Sequence, residues 1–190
     1  MSAIKDMKFR RRAESVTDYR KRLGLVKSGL DRIVVRKSNR RIMGQVVRYS
    51  AAGDVVVAHA DSSELEKMDW VPKSNRPTAY LTGLLLARKA GKEASSDHIL
   101  DIGLTSPVKN SIPFVFAKGC MDGGLKLRSS IKIDEKVYNC SETKYIAGLK
   151  SSDAEKYKNH YTSYTGAFSP EGLAKAFAQA KEKVMNATRE

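Results

Sequence analysis

DRIVVRKSNRRIMGQVVRYSAAGDVVVAHA, residues 31–60, decides the fold. Three runs rich in Val and Ile stand at 31–37, 41–49 and 54–60, and such residues favour the pleated strand. Ser38-Asn39-Arg40 and Ser50-Ala51-Ala52-Gly53 separate the runs and are short enough for hairpin turns. The stretch therefore reads as a three-stranded antiparallel meander. Strand alternation puts Ile33 and Val35 on one face and Arg32, Val34 and Arg36 on the other. Arg48 falls on the face of Ile42, Gly44 and Val46.

Outward from the meander the elements become helical. SSELEKMDW (62–70) reads as a short helical turn capped by Ser62 or Ser63. Pro77 suits the first turn of a helix through TAYLTGLLLARKA, whose Leu81, Leu84, Leu85 and Leu86 leave almost no polar side, so it is expected to lie buried against the sheet. Thr82 and Gly83 would permit close approach there, and Arg88, Lys89 and Lys92 sit at its negative end as surface charges. HILDIGL (98–104) is a fourth strand reached through that helix, and the right-handed crossover rule makes it parallel to the first. IPFVFAKGCMDGG is a further helix ended by Gly123 and Gly124. On the N-terminal side, residues 17–28 read as a basic helix capped by Thr17, with Tyr19, Leu23 and Val26 on one side and Gly29 as its stop. The expected fold is α/β: a mixed sheet, three antiparallel strands plus one parallel strand, with helices packed on it. Three regions follow: a flexible basic arm at 1–14, an α/β core at 15–127, and an extension at 128–190 ending in a helix. In that extension IKIDEKVY reads as extended and SETKYIAGL as helical, and KSSDAEKYKNHYTSY (150–164) is polar, with tyrosines but no core period. Ser169-Pro170-Glu171 opens the last helix, striped by Leu173, Phe177, Ala180 and Val184.

The charge is unevenly placed. The 190 residues carry 35 Lys plus Arg against 21 Asp plus Glu, a net of +14. Residues 1–50 hold 15 of those cations and 4 of the acids, a net of +11. A basic arm on a nearly balanced body points to a polyanionic partner. A merely solubilising tail would not need Arg10, Arg11 and Arg12 in a row. Membrane attachment would want Trp, Phe and Leu interleaved on the arm, which offers Phe9. No apolar run reaches 18 residues, and the basic start is not followed by the apolar stretch of a signal peptide. Cys120 and Cys140 form neither a disulfide framework nor CxxC, which suits a reducing, cytosolic compartment.

Catalytic and cofactor motifs are missing. GxSxG, GxGxxG and GxxxxGK[ST] do not occur, and His59, His98 and His160 are scattered with no HExxH. Two isolated cysteines are too few for a zinc finger. Neither cofactor nor metal is expected. The strand order is also that of ribonuclease-H-like nucleases, which need several carboxylates around two metal ions. Here Arg32, Val34 and Arg36 fill the first-strand positions, and Asp101 alone in the fourth strand reads as a structural partner. No enzyme activity is expected.

Four separated segments, RRRAESVTDYRKRLGLVKSG, DRIVVRKSNRRIMGQVV, NRPTAYLTGLLLARKA and HILDIGLTSPVKNS, resemble in order and spacing the 5S-rRNA-binding protein of the large ribosomal subunit, the universal family numbered eighteen in bacteria and five in eukaryotes. The resemblance spans about residues 8–127, and the tail SPEGLAKAFAQAKEKV is similar to the archaeal branch. It implies a ribonuclease-H-like domain without nuclease activity, cytoplasmic and in the large subunit. Its implied role is to hold 5S rRNA against 23S rRNA in the central protuberance, beside neighbouring ribosomal proteins. The RNA contacts it implies fall on Arg10, Arg11, Arg12, Tyr19, Arg20, Arg22, Arg36, Lys37, Ser38, Asn39, Arg40 and Arg41. Guanidiniums suit phosphates and base planes, and Ser38 and Asn39 at a hairpin tip could bond 2′-hydroxyls or base edges. Tyr19 is open between stacking on a base and packing in the core. Composition alone also admits a free-standing basic RNA chaperone.

Overall fold

A computed structural model of the chain describes residues 7–91, 97–140, 149, 151–161 and 172–187. The expectations for Lys92, for the helix at 141–149 apart from residue 149, and for Ser169-Pro170-Glu171 as a helix start lie outside these residues. The meander forms as read: β1 (Asp31–Lys37), β2 (Ile42–Arg48) and β3 (Val55–Asp61) are antiparallel neighbours. β4 (His98–Asp101) lies parallel to β1, and the sheet order is β3-β2-β1-β4. It is shorter than 98–104, because Gly103 takes a positive φ of 63° and turns the chain away. Beyond β4 the edge is covered by the chain at 126–128: the His98 N–H donates to the Lys126 carbonyl at 2.8 Å, and the Arg128 N–H to the His98 carbonyl at 3.0 Å.

One sheet face is apolar and buried through Ile33, Val35, Ile42, Val46, Ala58 and Ala60. On it lie α3 (Arg76–Ala90) and α4 (Ile112–Asp122), Pro standing in the first turn of each. The Asn75 side-chain oxygen caps α3 by accepting from the Thr78 N–H at 3.1 Å. Gly83 does permit close approach, but to α4 rather than to the sheet. A Cβ on Gly83 would stand 2.1 Å from the Phe116 carbonyl oxygen, and one on Gly119 would stand 2.2 Å from that of Tyr80. Backbone thus meets backbone at a reciprocal pair of glycines. Lys89 pairs with Glu64, and Arg88 lies 3.4 Å from the Met185 sulfur, so both are used within the fold.

The extension shares this core. In α6 (Leu173–Asn186) the stripe Leu173, Phe177, Ala180 and Val184 is buried as its spacing predicts. Phe177 meets Trp70 edge-on at 5.9 Å, and Tyr80 stacks on Tyr138 at 4.2 Å. The stretch around IKIDEKVY is not extended: it ends in a 3-10 turn, Glu135–Val137, that presents Tyr138 to this cluster. The polar stretch after 150 forms α5 (Ala154–Tyr161).

The phenol cluster sets an alkaline limit on stability. Burial, with the Asp122 and Glu135 carboxylates beside it, pushes Tyr138 up to about 12. Burial and Asp122, which accepts the Tyr80 hydroxyl at 3.0 Å, move Tyr80 up as well. The unfolded chain releases these protons near pH 10. The folded chain holds them longer, so stability is full below pH 10 and falls as pH rises toward about 12. The thermal midpoint is expected to drop across that window, and Tyr138→Phe to remove part of the drop. A midpoint flat across it would contradict this placement of the phenols.

Local caps depart from the sequence expectations in two places. α2 (Tyr19–Val26) is capped by Asp18, not Thr17. The Asp18 carboxylate accepts the Arg20 and Lys21 N–H groups at 3.0 and 3.2 Å, while the Thr17 hydroxyl accepts from Arg11. Asp61, not Ser62 or Ser63, caps the 3-10 helix Ser62–Met68 in a reciprocal box with Glu64. The Ser62 hydroxyl instead accepts the Ile42 N–H at 3.1 Å. Within the arm, residues 10–13 form one helical turn, α1 (Arg10–Ala13), pinned by Arg10–Glu14 at 2.9 Å.

Candidate nucleic-acid interface

The other face of the sheet is not covered by α3 and α4. Its cross-strand rows are Arg32–Val47–Val56, Val34–Gln45–His59 and Arg36–Met43–Asp61. α2 stands beside this face and buries no residue of its own. Leu23 is 54% exposed, so the expected apolar side of Tyr19, Leu23 and Val26 does not pack as one. Leu25 lines the groove toward the sheet, with Lys21 one turn before it and Gly24 next to it. A groove of about 960 Å3 runs between α2 and the sheet.

Ion pairs around the buried Arg32 brace this face. Arg22 reaches Asp54 at 2.8 Å, and Asp54 reaches Arg32 at 2.6 Å. Arg32 and Arg36 both reach Asp101, each at 3.4 Å. The Arg32 side chain is 5% exposed. Asp101 also accepts the Gly103 N–H at 2.8 Å, and Arg36 donates to the Val35 and Asp101 carbonyls. Asp101 is thus the structural partner its isolation suggested, and the first-strand arginines fill the place where nuclease carboxylates would be needed. Arg22 and Arg36 are held by carboxylates, so their outward field is partly cancelled.

The hairpin tip is different. Its loop runs from 38 to 41, since Lys37 pairs with Ile42. The Ser38 hydroxyl donates to the Arg41 carbonyl at 3.1 Å and accepts the Arg41 N–H at 2.9 Å. The Ser38 carbonyl accepts from the Ser74 hydroxyl at 2.7 Å. Ser38 therefore spends its one donor on shaping the turn, which leaves Asn39, Lys37, Arg40 and Arg41 as the groups displayed. All four are exposed. Among the described residues no carboxylate pairs with Lys37, Arg40 or Arg41, nor with Arg12 or Arg20. Burial pulls the Lys73 ammonium, next to Ser74, below its ordinary value.

Of the two roles expected for Tyr19, packing in the core is not the one it takes. It is half-buried, outside the core, with its ring 5.5 Å from Phe9 of the arm. Arg11 donates to Thr17 at 2.8 Å and lines the groove. These two contacts hold the arm against α2, so Arg11 of the arm and Lys21 and Arg22 of α2 line the same groove as Arg36 and Lys37 of β1.

Period-two alternation placed Arg32 with Val34 and Arg36 but could not bury it. Burial needs Asp54 and Asp101 from two other parts of the chain, and only the assembled sheet brings them together. Besides Arg32 and Arg36, the amide of Gln45 in an otherwise apolar run is a polar position on this face that the sequence reading passed over.

The chain is similar to known ribosomal proteins. The family model described as "Ribosomal large subunit proteins 60S L5, and 50S L18" matches residues 5–99, from the arm to the middle of β4. A large ribosomal subunit protein uL18 of Methanococcus maripaludis is 40% identical over 190 residues, covering 98% of both chains. Another uL18, of Thermofilum pendens, is 38% identical over 184 residues, covering 94% of both.

Proposed function

The chain belongs to the family of large-subunit ribosomal proteins 60S L5 and 50S L18, and from that membership we propose that it binds 5S rRNA and attaches it to 23S rRNA in the central protuberance. As a large-subunit ribosomal protein it is a structural constituent of the particle and not an enzyme. Its setting is the cytoplasmic ribosome, with ribosomal proteins as its other neighbours. No helix among the described residues is long and apolar enough to cross a membrane.

The observation that carries the reading is the hairpin tip. Lys37, Arg40 and Arg41 project from a strand pair whose register is locked by buried Ile33, Val35, Ile42 and Val46, and no carboxylate among the described residues neutralises them. Phosphate contacts position such a protein, and fixed guanidiniums present bidentate donors to RNA. The anchoring is electrostatic, and the arm adds to it.

The test is sedimentation. Stoichiometric migration with large subunits, and retention of 5S rRNA on the purified protein over a size-matched transcript, is expected. A predominantly free pool with no preference among RNAs would favour the rival, a free-standing RNA chaperone. The arm gives a second prediction. Residues 7–13 are all exposed, so deleting residues 1–13 is expected to leave the fold intact. It removes Lys5, Lys8, Arg10, Arg11 and Arg12. If about four of these neutralise phosphates, the log–log salt slope of 5S rRNA binding falls by roughly three to four. An unchanged slope would remove the arm from the interface.

A further inference from the structure

The groove between α2 and the outer sheet face has a chemistry of its own, distinct from the hairpin tip. In its floor Val34, Val47 and Val56 form an apolar patch, beside the Arg22–Asp54–Arg32–Asp101–Arg36 ion pairs that line the same groove. Set in that floor is one neutral polar group, the half-buried Gln45, paired in register with Val34. Among the described residues the Gln45 amide has no side-chain hydrogen bond, although it offers two donors and an acceptor. Lys21 and Lys37 stand on the rim, exposed and without carboxylate partners among the described residues.

Gly24 forms part of the α2 wall. A glycine in the second turn of an eight-residue helix weakens the helix, so some gain elsewhere is expected of it. A Cβ at this position would meet nothing within 4 Å, so no packed neighbour demands glycine here. What the missing side chain does is keep the groove open beside Lys21 and Leu25.

An apolar patch with one free amide, beside carboxylates already paired with arginines and under a rim bearing Lys21 and Lys37, fits one kind of RNA group. An unpaired nucleotide carries a flat apolar face, hydrogen-bonding edges that a carboxamide can read, and a phosphate. RNA is read in sequence mostly through such splayed-out bases, while duplex is read by shape and backbone. We infer that the groove takes one unpaired nucleotide of the bound rRNA, its base against Val34 and Val47 with an edge on Gln45, and its phosphate between Lys21 and Lys37. This deepens the assignment of the basic face to 5S rRNA and rests on it. The hairpin and arm then supply affinity through phosphates, and the groove supplies selectivity.

The experiment probes purified 5S rRNA, free and in complex, with a base-modifying reagent and with a backbone-cleaving one. The proteins are the wild type, Gln45→Leu and Gly24→Leu. Gln45→Leu keeps the volume and removes the amide; Gly24→Leu fills the groove from a position with open space around it. In the wild-type complex one or a few unpaired bases are expected to be protected at least tenfold from modification. Both variants, with thermal midpoints at or near that of the wild type, are expected to lose that protection and to bind about tenfold more weakly. Their log–log salt slopes fall by no more than about one, for the single phosphate between Lys21 and Lys37, and the rest of the backbone footprint stays as in the wild type, because the other phosphate contacts remain. Wild-type binding without any such base protection overturns the inference alone. So does base protection that survives in both variants, as it would if the groove accepted a segment of a neighbouring protein. No binding of wild type to 5S rRNA overturns this inference together with the assignment beneath it.

Discussion

Gly119→Val is expected to lower the stability of the folded chain by about 3 kcal/mol or more. The added carbons have nowhere to go. The first would stand 2.2 Å from the Tyr80 carbonyl oxygen and 3.2 Å from the Leu84 nitrogen, both backbone atoms of α3. A flexible side chain can swing aside, but two helical backbones can only move apart. Separating them would lift Phe116 from Gly44, where a Cβ would lie 2.1 Å from the ring, and would open the layer that covers the sheet. For a chain of this size the thermal midpoint falls by roughly 6–12 °C. Gly24→Ala is the control: with nothing within 4 Å of its Cβ, it is expected to leave the midpoint unchanged or raise it slightly. Equal behaviour of the two variants would contradict the helix packing described.

Asp101→Ala carries the second large effect. It leaves the Gly103 N–H without its acceptor and Arg32, almost fully buried, with Asp54 as its remaining carboxylate. Taking one of two carboxylates from a buried guanidinium and orphaning an N–H is costly, and a loss of about 3 kcal/mol is expected. Asp101→Asn keeps the shape and one acceptor oxygen and is expected to lose less. RNA affinity of the folded fraction should behave oppositely to stability. Arg36 keeps its charge and loses the carboxylate that offsets it, so 5S rRNA binding stays at or above the wild-type value. Denaturant unfolding and filter binding on the same preparations separate the two effects. A parallel fall in both would mean that Asp101 contributes to the RNA surface directly.

The sheet was legible because each strand announces itself locally. Val and Ile runs with short polar gaps leave little choice of pairing, and a helix of some fifteen residues between β3 and β4 leaves a parallel return as the compact solution. The stripe of Leu173, Phe177, Ala180 and Val184 was legible for the same reason: one period, no interruption. What was not legible depends on competition or distance. Thr17 and Asp18 are both good caps, and a contact from Arg11 decides between them. Leu23 looks like a packing residue until α2 is seen to face the sheet through Leu25. The charged tip was read correctly as exposed, yet Arg36 and Ser38 differ from their neighbours because Asp101 and the Arg41 backbone claim them. The groove needs α2 and three strands together, and no window of sequence contains them.

The central claim is that fixed cations at the hairpin, not net charge, hold the RNA. Replacing Lys37, Arg40 and Arg41 together by Ala tests it against the same loss of charge on α6, through Lys175, Lys181 and Lys183. The α6 lysines are partly engaged elsewhere: Lys181 lies 5.4 Å from the Tyr80 ring centre, and Lys183 pairs with Asp69. Filter binding to purified 5S rRNA at one salt concentration is expected to show a loss of at least about 2 kcal/mol, roughly 30-fold, for the hairpin triple and little change for the α6 triple. Equal losses from the two triples would mean that the protein binds by net charge alone, and would contradict the assignment of the RNA site to this face.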